Sequence, residues 1–575
     1  MPRLLLLLLL ACGVCASGCG GSQPVQKTTV VKKKPPPKRP DPFATARTSL
    51  PACDALVDQT QSLISPGLGQ RVRDALVRAA PSFGDEVAQR VLPALLQHAV
   101  RWATESAQLC LRHVSQGALG RAEYEKRIAC HGEAFARMRA LANALQQADV
   151  EVAEWALAAT VALDEGLERC SRAKVWKGYD INPVVDATAV QGFADAAVFA
   201  TLQKSRAAAE SRRLAMAEAR NGRSRLLEAR SLVLTAPGRD QVVAEEMLER
   251  ALALYDALGS GHGRMRVQQA AAQLYLGLDQ PVDAITHVEA EIAICDEVHG
   301  KSSRTCGAAR RRSSVVLARA GRGKQALQNA RAALKTSLRA VGEDHPETLL
   351  SRVALASLAV QQGERKLAAA QVEALLAHGP RTLGPDHPQV GDQLRLAGRV
   401  SLGLGDAAGA AAYLRQAVER HSAAHGDVHA RVAEDLLLLG RALERSGDQQ
   451  GAAMALEKAL AIHSRLHAGA HPRVAEALKR AAMARVAMGK PPAKALRWLK
   501  RAKAMDEELL GEDDEQIAID LRLIGLYWSA RGDHRQAYQL YLESVKRLTA
   551  LHGPDHPETK RSVERLDQSV RAQGI

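Results

Sequence analysis

The sequence has 575 residues and a formal net charge of +15 at pH 7, and 46% of its residues are hydrophobic while only 3% are aromatic. This composition predicts a core of Ala and Leu, as in helical repeat proteins. It also argues against a nucleic-acid partner, because side chains that could stack on bases are scarce. We expect the basic excess to be solvated or to contact anionic lipid headgroups.

The chain begins with MPRLLLLLLLACGVCASGCGG, in which seven leucines precede small residues and a cysteine. This pattern predicts a secretory signal, because the apolar run is too short to span a bilayer. It resembles a bacterial lipoprotein signal, which implies that residues 1–18 are removed and that Cys19 carries a diacylglyceryl group. Two alternatives stay open, namely acylation at Cys12 and cleavage of an ordinary signal without acylation.

Residues 19–51 are predicted to form a tether, because Lys and Pro are abundant there and favour an extended backbone. Several acyl chains on one cysteine give stable anchoring. The lipoprotein resemblance therefore implies a lipid-anchored protein of the cell envelope. Gly20 and Gly21 follow Cys19 in place of the acidic residue that favours the inner membrane in such proteins, so we expect the outer membrane, facing the periplasm.

Residues 52–175 show the helical spacing of apolar residues and contain four cysteines. An even number in an oxidising compartment predicts two disulfides, for which three pairings are possible. Cys110 and Cys130 lie in successive helical segments, so we expect them to pair with each other. Cys53 and Cys170 would then tie the ends of this cysteine-containing domain together.

The C-terminal part of the chain repeats itself. Histidines recur at intervals of 42 residues, or 85 where one is missing: His345, His387, His429, His471 and His556. Glycines recur with the same period, and the apolar residues between these landmarks have helical spacing. Each unit is therefore predicted to be two amphipathic helices with a glycine turn between them. Stacking of such pairs gives an all-α solenoid over residues 205–570, which residues 176–204 connect to the cysteine-containing domain.

The repeated histidine is either a helix start or a ligand. In four repeats a proline follows it, and proline is well tolerated at the first helical position, where its missing N–H is not needed. The aspartate before it, as in Asp344, Asp386 and Asp555, can cap free N–H groups. Ligands spread along a rod would not converge on one ion, so we predict that the histidines are structural and that the chain holds no metal.

The 42-residue unit, with LGPDHP at residues 383–388, a central glycine and small residues in its second helix, resembles the kinesin-light-chain type of tetratricopeptide repeat. The resemblance implies a right-handed superhelix whose first helices line a concave groove for a protein or peptide. It also implies that positions three before and one after a small residue of the first helix face this groove. Basic residues occupy five of these positions: Arg395, Arg399, Arg441, Lys479 and Arg522. We expect a basic groove and an acidic partner, and the alternative is that the cations are only solvated.

The cysteine-containing domain carries a second resemblance. Segments such as AQLCLRHV and RIACHGEAFARMRALANAL, followed by repeats, are similar to the extracytoplasmic half of myxobacterial serine/threonine kinases with tetratricopeptide repeats, over residues 52–570. The Gly-rich loop, HRD and DFG sequences of a kinase are missing here, so the resemblance does not imply kinase activity. It implies a periplasmic sensing or docking module.

Sequence signatures of catalysis are missing, because the chain contains no HExxH, GxSxG or phosphate-loop sequence. No CxxC pair follows Cys19, and Cys295 and Cys306 could form a third bridge or remain buried thiols. We expect a non-enzymatic protein without a cofactor, acting as a scaffold that binds a protein or peptide in the groove. The alternative is an envelope sensor or regulatory subunit whose cysteine-containing domain receives the ligand.

Overall fold

The computed structural model describes residues 41–171, 176, 179–181, 186–221 and 224–573. The lipoprotein signal, Cys19 and most of the predicted tether lie outside these residues. Within them every regular element is helical and none is a β-strand, which confirms the predicted all-α class. None of these described helices combines the length and the hydropathy that crossing a bilayer requires.

The N-terminal domain, residues 41–171, is a helical bundle with its own core. Its helices are α1 (Pro51–Leu63), α2 (Pro66–Ala79), α3 (Gly84–Val114), α4 (Arg121–Gln146) and α5 (Val150–Cys170). The last residues of the predicted tether are part of this domain instead of an extended linker. A short 3-10 helix at Ala44–Ala46 precedes α1, and the side chain of Phe43 is 1% exposed in the core.

Two disulfides hold this bundle together. Cys53 is bonded to Cys110, which joins α1 to α3, and Cys130 is bonded to Cys170, which joins α4 to α5. The predicted pairing of Cys110 with Cys130, and of Cys53 with Cys170, is therefore wrong. That prediction followed the order of the helices along the chain, whereas the bundle packs α1 on α3 and α4 on α5. Packing places the Cα atoms of the bonded pairs 5.6 and 5.7 Å apart.

The remaining helices stack in pairs along the chain. They are α6 (Ala187–Thr201), α7 (Ser205–Asn221), α8 (Arg225–Thr235), α9 (Gln241–Ala257), α10 (Gly261–Gly277), α11 (Asp283–His299), α12 (Arg304–Arg319), α13 (Gly323–Val341), α14 (Pro346–Gln361), α15 (Arg365–Leu383), α16 (Pro388–Leu404), α17 (Ala407–His425), α18 (Ala430–Ser446), α19 (Gln449–Leu466), α20 (Pro472–Ala487), α21 (Ala493–Leu510), α22 (Glu515–Ala530), α23 (His534–His552) and α24 (Pro557–Ala572). From α10 onwards each helix packs on the one before and the one after, which is the predicted α-solenoid.

At the start of the solenoid, the structure answers one question that the sequence left open and adds one helix that the sequence did not predict. Cys295 and Cys306 are bonded to each other, so that a third disulfide links α11 to α12. The segment predicted only to connect the two domains contains α6, which packs against both α4 and α7. The solenoid is therefore in contact with the N-terminal domain from its first helices.

The repeated histidine is the N-cap of the first helix of its repeat. In His345, His387, His429 and His471 the ring Nδ1 accepts a hydrogen bond from the backbone N–H two residues further on, over 3.2 to 3.3 Å. Asp514 accepts the equivalent bond with a carboxylate oxygen over 2.8 Å, which explains how one repeat functions without the histidine. These four histidines thus stand at helix starts, as predicted, and their rings cap the helices.

The aspartate before the histidine has a different role from the predicted one. Asp344 lies 2.7 Å from Nδ1 of His378, Asp386 forms an ion pair with Arg420, and Asp555 pairs with a lysine of its own helix. The prediction that these aspartates cap the helix is wrong, because the histidine itself lies next to the free N–H groups. In two repeats the aspartate instead ties the loop to the second helix of the same repeat.

Two kinds of glycine shape each repeat. Gly405 ends α16 with a φ of 89°, a left-handed conformation that residues with a side chain rarely adopt. Gly440 lies inside α18, where a Cβ atom would come within 2.4 Å of Cγ of Leu456 on α19. Gly398 and Gly525 are equally confined in their own helices. The two helices of a repeat can therefore approach closely only because these positions lack a side chain.

Alanine substitution should have opposite effects at two helical glycines. Gly440→Ala should lower the melting temperature, because Leu456 or the backbone must move to make room. Gly403→Ala should leave it unchanged or raise it, since no atom lies within 4 Å of the new Cβ and alanine favours the helix by about 0.5–1 kcal/mol. Thermal unfolding followed by circular dichroism tests both, and equal shifts in the same direction would contradict the packing role of Gly440.

Helix α5 docks the N-terminal domain on the solenoid by crossing the N-terminal ends of several first helices. Three contacts span its length: Arg431 Nη1 to Glu154 Oε1 at 2.8 Å, Arg304 Nη2 to the Val161 carbonyl at 2.9 Å, and Arg169 Nη1 to His262 Nε2 at 2.6 Å. The apolar core continues across the boundary, from Leu141 and Leu167 in the domain to Leu375 and Val390 in the repeats. The solenoid edge that contains the His-Pro loops is therefore partly covered by the chain itself.

This docking buries His387, which is only 1% exposed. Its ring contacts the ring of Phe83 edge to face, with 5.3 Å between the ring centroids. Burial, with a smaller contribution from the charges of Arg431 and Arg90, lowers the pKa of His387 to about 3, while a hydrogen bond with the backbone of Glu154 and the charge of Asp392 oppose this shift. Between pH 6.5 and about 3, His387 is therefore neutral in the folded protein where the unfolded chain would bind a proton.

We predict that His387 makes the protein less stable in mild acid. Between pH 6.5 and about 3 the unfolded chain binds one more proton at this site than the folded protein does. The free energy of unfolding therefore falls by up to about 1.4 kcal/mol for each pH unit below 6.5, and the contribution is fully present above it. His387→Asn keeps a capping side chain but cannot titrate, so its melting temperature should fall less between pH 7 and pH 5.

The matched control is His471→Asn, at the same position of a repeat in which the ring stacks on His467 instead of Phe83. It should reduce the pH dependence of the melting temperature less than His387→Asn does. Equal pH dependence in the parent protein and in His387→Asn would show that docking does not keep this histidine neutral.

Candidate partner-binding surface

The five predicted groove cations all lie on first helices, but they fall into two groups. Arg395, Lys479 and Arg522 lie three residues before the small residue of α16, α20 and α22, and each is bonded to carboxylates. Arg399 and Arg441 lie one residue after it and are exposed. In the described part of the chain neither of these two arginines makes a hydrogen bond or an ion pair. Only the second group is available to a partner.

Arg395 is held between two repeats. It forms an ion pair with Asp392 on its own helix, and Nη1 lies 3.3 Å from Asp435 and 3.6 Å from Glu434 on α18. The side chain of Asp435 is fully buried, and this burial raises its pKa, which the nearby His421 and Arg395 oppose. Arg395 therefore compensates a carboxylate that α18 carries into the interior.

Lys479 and Arg522 connect the following repeats in the same way. Nζ of Lys479 lies 2.6 Å from Asp506 and 3.3 Å from the buried Asp520 on α22. Burial raises the pKa of Asp520 to about 7, with Asp506 contributing to the rise and Lys479 opposing it. Arg522 donates to Glu558 on α24 over 2.6 Å. Each cation is therefore bonded to an acid of the next first helix.

At these three positions the cations expected in the basic groove are engaged in ion pairs with the protein's own carboxylates. Removing one partner of a buried ion pair leaves an uncompensated charge, so these cations stabilise the stacking of repeats and are not free to bind an acidic partner. Sequence reasoning missed their acidic partners. Asp435 follows Arg395 by 40 residues and Asp520 follows Lys479 by 41, nearly one repeat period, and this spacing could have revealed the pairing.

The residues that directly follow the small residue of each first helix form a column along the solenoid. Arg399 and Arg441 occupy it in two successive repeats, and Met483 and Leu526 occupy it in the next two, where they are half-buried. The column lies in the C-terminal halves of the first helices, away from the N-terminal ends that α5 crosses. We call these four residues the exposed column. It offers two cations followed by two apolar side chains.

One group of side chains in the last repeats could hold a metal ion. Glu515, His552 and His556 each bring a ligand atom within 4.8 Å of the others, and Nε2 of His552 lies 3.3 Å from Glu515. His552 is exposed at the end of α23. A structural zinc site has four protein ligands, and no fourth belongs to this group among the described residues. We assign no ion to it.

The chain is similar to known repeat proteins. The sequence profile of the tetratricopeptide repeat family matches residues 314–347 and 521–558. None of the curated proteins matches the chain. Among solved structures, a putative kinesin light chain from Podosopora anserina is 22% identical, with 35% of this chain and 96% of that chain covered and a TM-score of 0.33.

Two further solved structures are similar over longer parts of the chain. BtubC (BKLC) from P. vanneervenii is 18% identical, with 41% of this chain and 91% of that chain covered and a TM-score of 0.34. RapI is 13% identical, with 64% and 98% covered and a TM-score of 0.47. The two segments that match the tetratricopeptide repeat family lie within the stacked helices of the solenoid. Stacked pairs of helices present extended surfaces.

Proposed function

We propose that the protein is a non-enzymatic scaffold that binds a segment of another protein along the exposed column. The accessibility of Arg399 and Arg441, next to Met483 and Leu526, carries this proposal. It favours a segment in which acidic residues precede apolar ones, because guanidinium groups hold carboxylates by paired hydrogen bonds. The stacked repeats keep the column in place through the ion pairs between first helices.

Charge alone gives such a complex little affinity. An exposed ion pair contributes about 0.2–1 kcal/mol and is screened by salt. Two arginines therefore select for acidic residues, and the apolar contacts with Met483 and Leu526 have to supply the remaining affinity. We therefore still propose an acidic partner, but only two of the five predicted cations belong to the binding surface.

We also propose that the scaffold acts in the cell envelope, anchored by a lipid on Cys19 to the outer membrane and facing the periplasm. The leucine run and the small residues before Cys19 support the anchor. Three disulfides in the described residues support an oxidising compartment. The tether would place the repeats away from the membrane, where they can reach a partner.

We predict that reversing the charge of the exposed column weakens binding of an acidic peptide. The probe is a fluorescent peptide of four glutamates followed by four leucines, and its affinity is measured by fluorescence anisotropy. Arg399→Glu with Arg441→Glu should lower the affinity about tenfold, equivalent to about 1.4 kcal/mol. The affinity of the parent protein should also fall as the salt concentration rises.

The matched control reverses two exposed cations on the second helices of the same repeats. Arg415→Glu with Lys458→Glu, on α17 and α19, makes the same change in net charge on another face. It should leave peptide binding within about twofold of the parent. Equal loss in both double variants would mean that only the overall charge matters, and no loss in either would place the binding surface elsewhere.

We predict that Cys19 is the acylated N-terminus of the mature protein. Mass spectrometry of the protein extracted from membranes should find a lipid-modified N-terminal peptide that begins at Cys19. Cys19→Ala should abolish the modification and release the protein from the membrane fraction, because the anchor is the acyl chains. A mature chain that begins at Cys12, or one with an unmodified N-terminus, would contradict this assignment.

A further inference from the structure

A large cavity lies where the N-terminal domain meets the first helices of the solenoid. Its volume is about 890 Å³, and it opens to solvent. Residues of α4 and α5 form one side, and residues of α6 to α10 and α12 form the rest. Its size is in the range of sites for small molecules, and such sites often lie between domains. The exposed column lies on later repeats, so the cavity is a separate site.

The cavity wall is strongly basic. It contains two glutamates, Glu133 and Glu165, and six arginines: Arg137, Arg169, Arg212, Arg230, Arg266 and Arg312. Both glutamates come from the N-terminal domain, whereas the arginines come from this domain and from the solenoid. Such an excess of guanidinium groups in a confined space favours an anion, because the surrounding protein screens their charges less than water does.

Internal ion pairs neutralise only part of this charge. Glu133 accepts hydrogen bonds from both Arg137 and Arg230, over 2.7 and 2.8 Å. Among the described residues, no carboxylate lies within 4 Å of Arg169 or Arg266. Arg169 contacts the neutral partner His262, and Arg266 lies 3.3 Å from the side-chain oxygen of Gln269. These two guanidinium groups are therefore the ones that an incoming anion can neutralise.

Neighbouring arginines repel one another across the cavity. Burial, together with the charges of Arg312 and Arg169, lowers the pKa of Arg266 to about 10. Burial likewise lowers the pKa of Arg169, with Arg137 as the next largest cause. The side chain of Arg266 is exposed and lines the cavity. An anion bound here would relieve this repulsion.

The rest of the wall is apolar. Phe193, Ala196 and Ala200 of α6 contribute to it, together with Met216 of α7 and Val233 of α8. An inorganic anion would leave this part of the wall without a contact. A ligand that carries a charged group at one end and an apolar body at the other fits both halves of the wall.

We propose that this cavity binds a small amphiphilic carboxylate, whose charged group pairs with Arg169 and Arg266 and whose apolar body packs against Phe193, Met216 and Val233. The site belongs to both parts of the protein, because Arg169 comes from α5 and Arg266 from α10. A bound carboxylate therefore bridges the N-terminal domain and the first repeats. The cavity can be tested independently of the partner-binding surface.

Decanoate is a suitable probe, and isothermal titration calorimetry of the full mature chain measures its binding. We expect decanoate to bind with a stoichiometry of one, while acetate and 1-decanol bind at least tenfold more weakly, because each has only half of the required chemistry. Equal binding of decanoate and 1-decanol, or no binding of decanoate, would overturn the proposal.

Arg266→Gln separates a binding role from a structural one. It should weaken decanoate binding at least tenfold and should not lower the melting temperature of the ligand-free protein, because it removes repulsion from Arg169 and Arg312. The control Arg264→Gln lies on the same helix but outside the cavity, near Asp256 on the surface, and should bind decanoate like the parent. Parent-like binding by Arg266→Gln would overturn the assignment.

A second variant tests the apolar half and leaves every arginine in place. Ala200 is exposed within the cavity wall, so Ala200→Trp fills space without entering the core. It should also weaken decanoate binding at least tenfold. If Ala200→Trp binds decanoate as the parent does, the carboxylate is bound elsewhere and the proposal fails.

Discussion

No helix in the repeats can bury its apolar face alone, and the architecture follows from this constraint. Burial requires the next helix to come close, which demands glycine at positions such as Gly440, where a side chain would collide with Leu456. Every new helix also starts with backbone N–H groups that have no partner inside the helix. His345, His387, His429 and His471 each satisfy one of these groups at the start of their helix. The repeat period, the helix caps and the close packing of the helices thus all follow from the need to bury the apolar face of each helix.

Stacking also decides which charges remain at the surface. A buried carboxylate such as Asp435 or Asp520 is tolerated only beside a cation, and the nearest cations are those of the preceding first helix. The ion pairs link one repeat to the next and keep Arg395 and Lys479 away from solvent. Net charge is therefore a poor guide to the surface, because a basic sequence can use much of its charge internally.

The N-terminal domain packs against the solenoid and covers part of its surface. Helix α5 covers the starts of several first helices, and an apolar core runs through the boundary. Where α4 and α5 diverge from the first repeats, the same docking encloses the arginine-lined cavity. The proposed partner-binding column and the proposed carboxylate site therefore lie in different parts of the protein.

The sequence by itself determined the local features. The helical class, the repeat period and the position of the histidines at helix starts all depend on neighbouring residues or on one repeat unit, so a pattern along the chain contains them. Only the tertiary structure decided the partners of Cys53, Cys110, Cys130 and Cys170, and the meeting of Arg169 with Arg266. These depend on which helix faces pack together over long separations. Sequence spacing does not specify such contacts, because several packings are compatible with the same amphipathic helices.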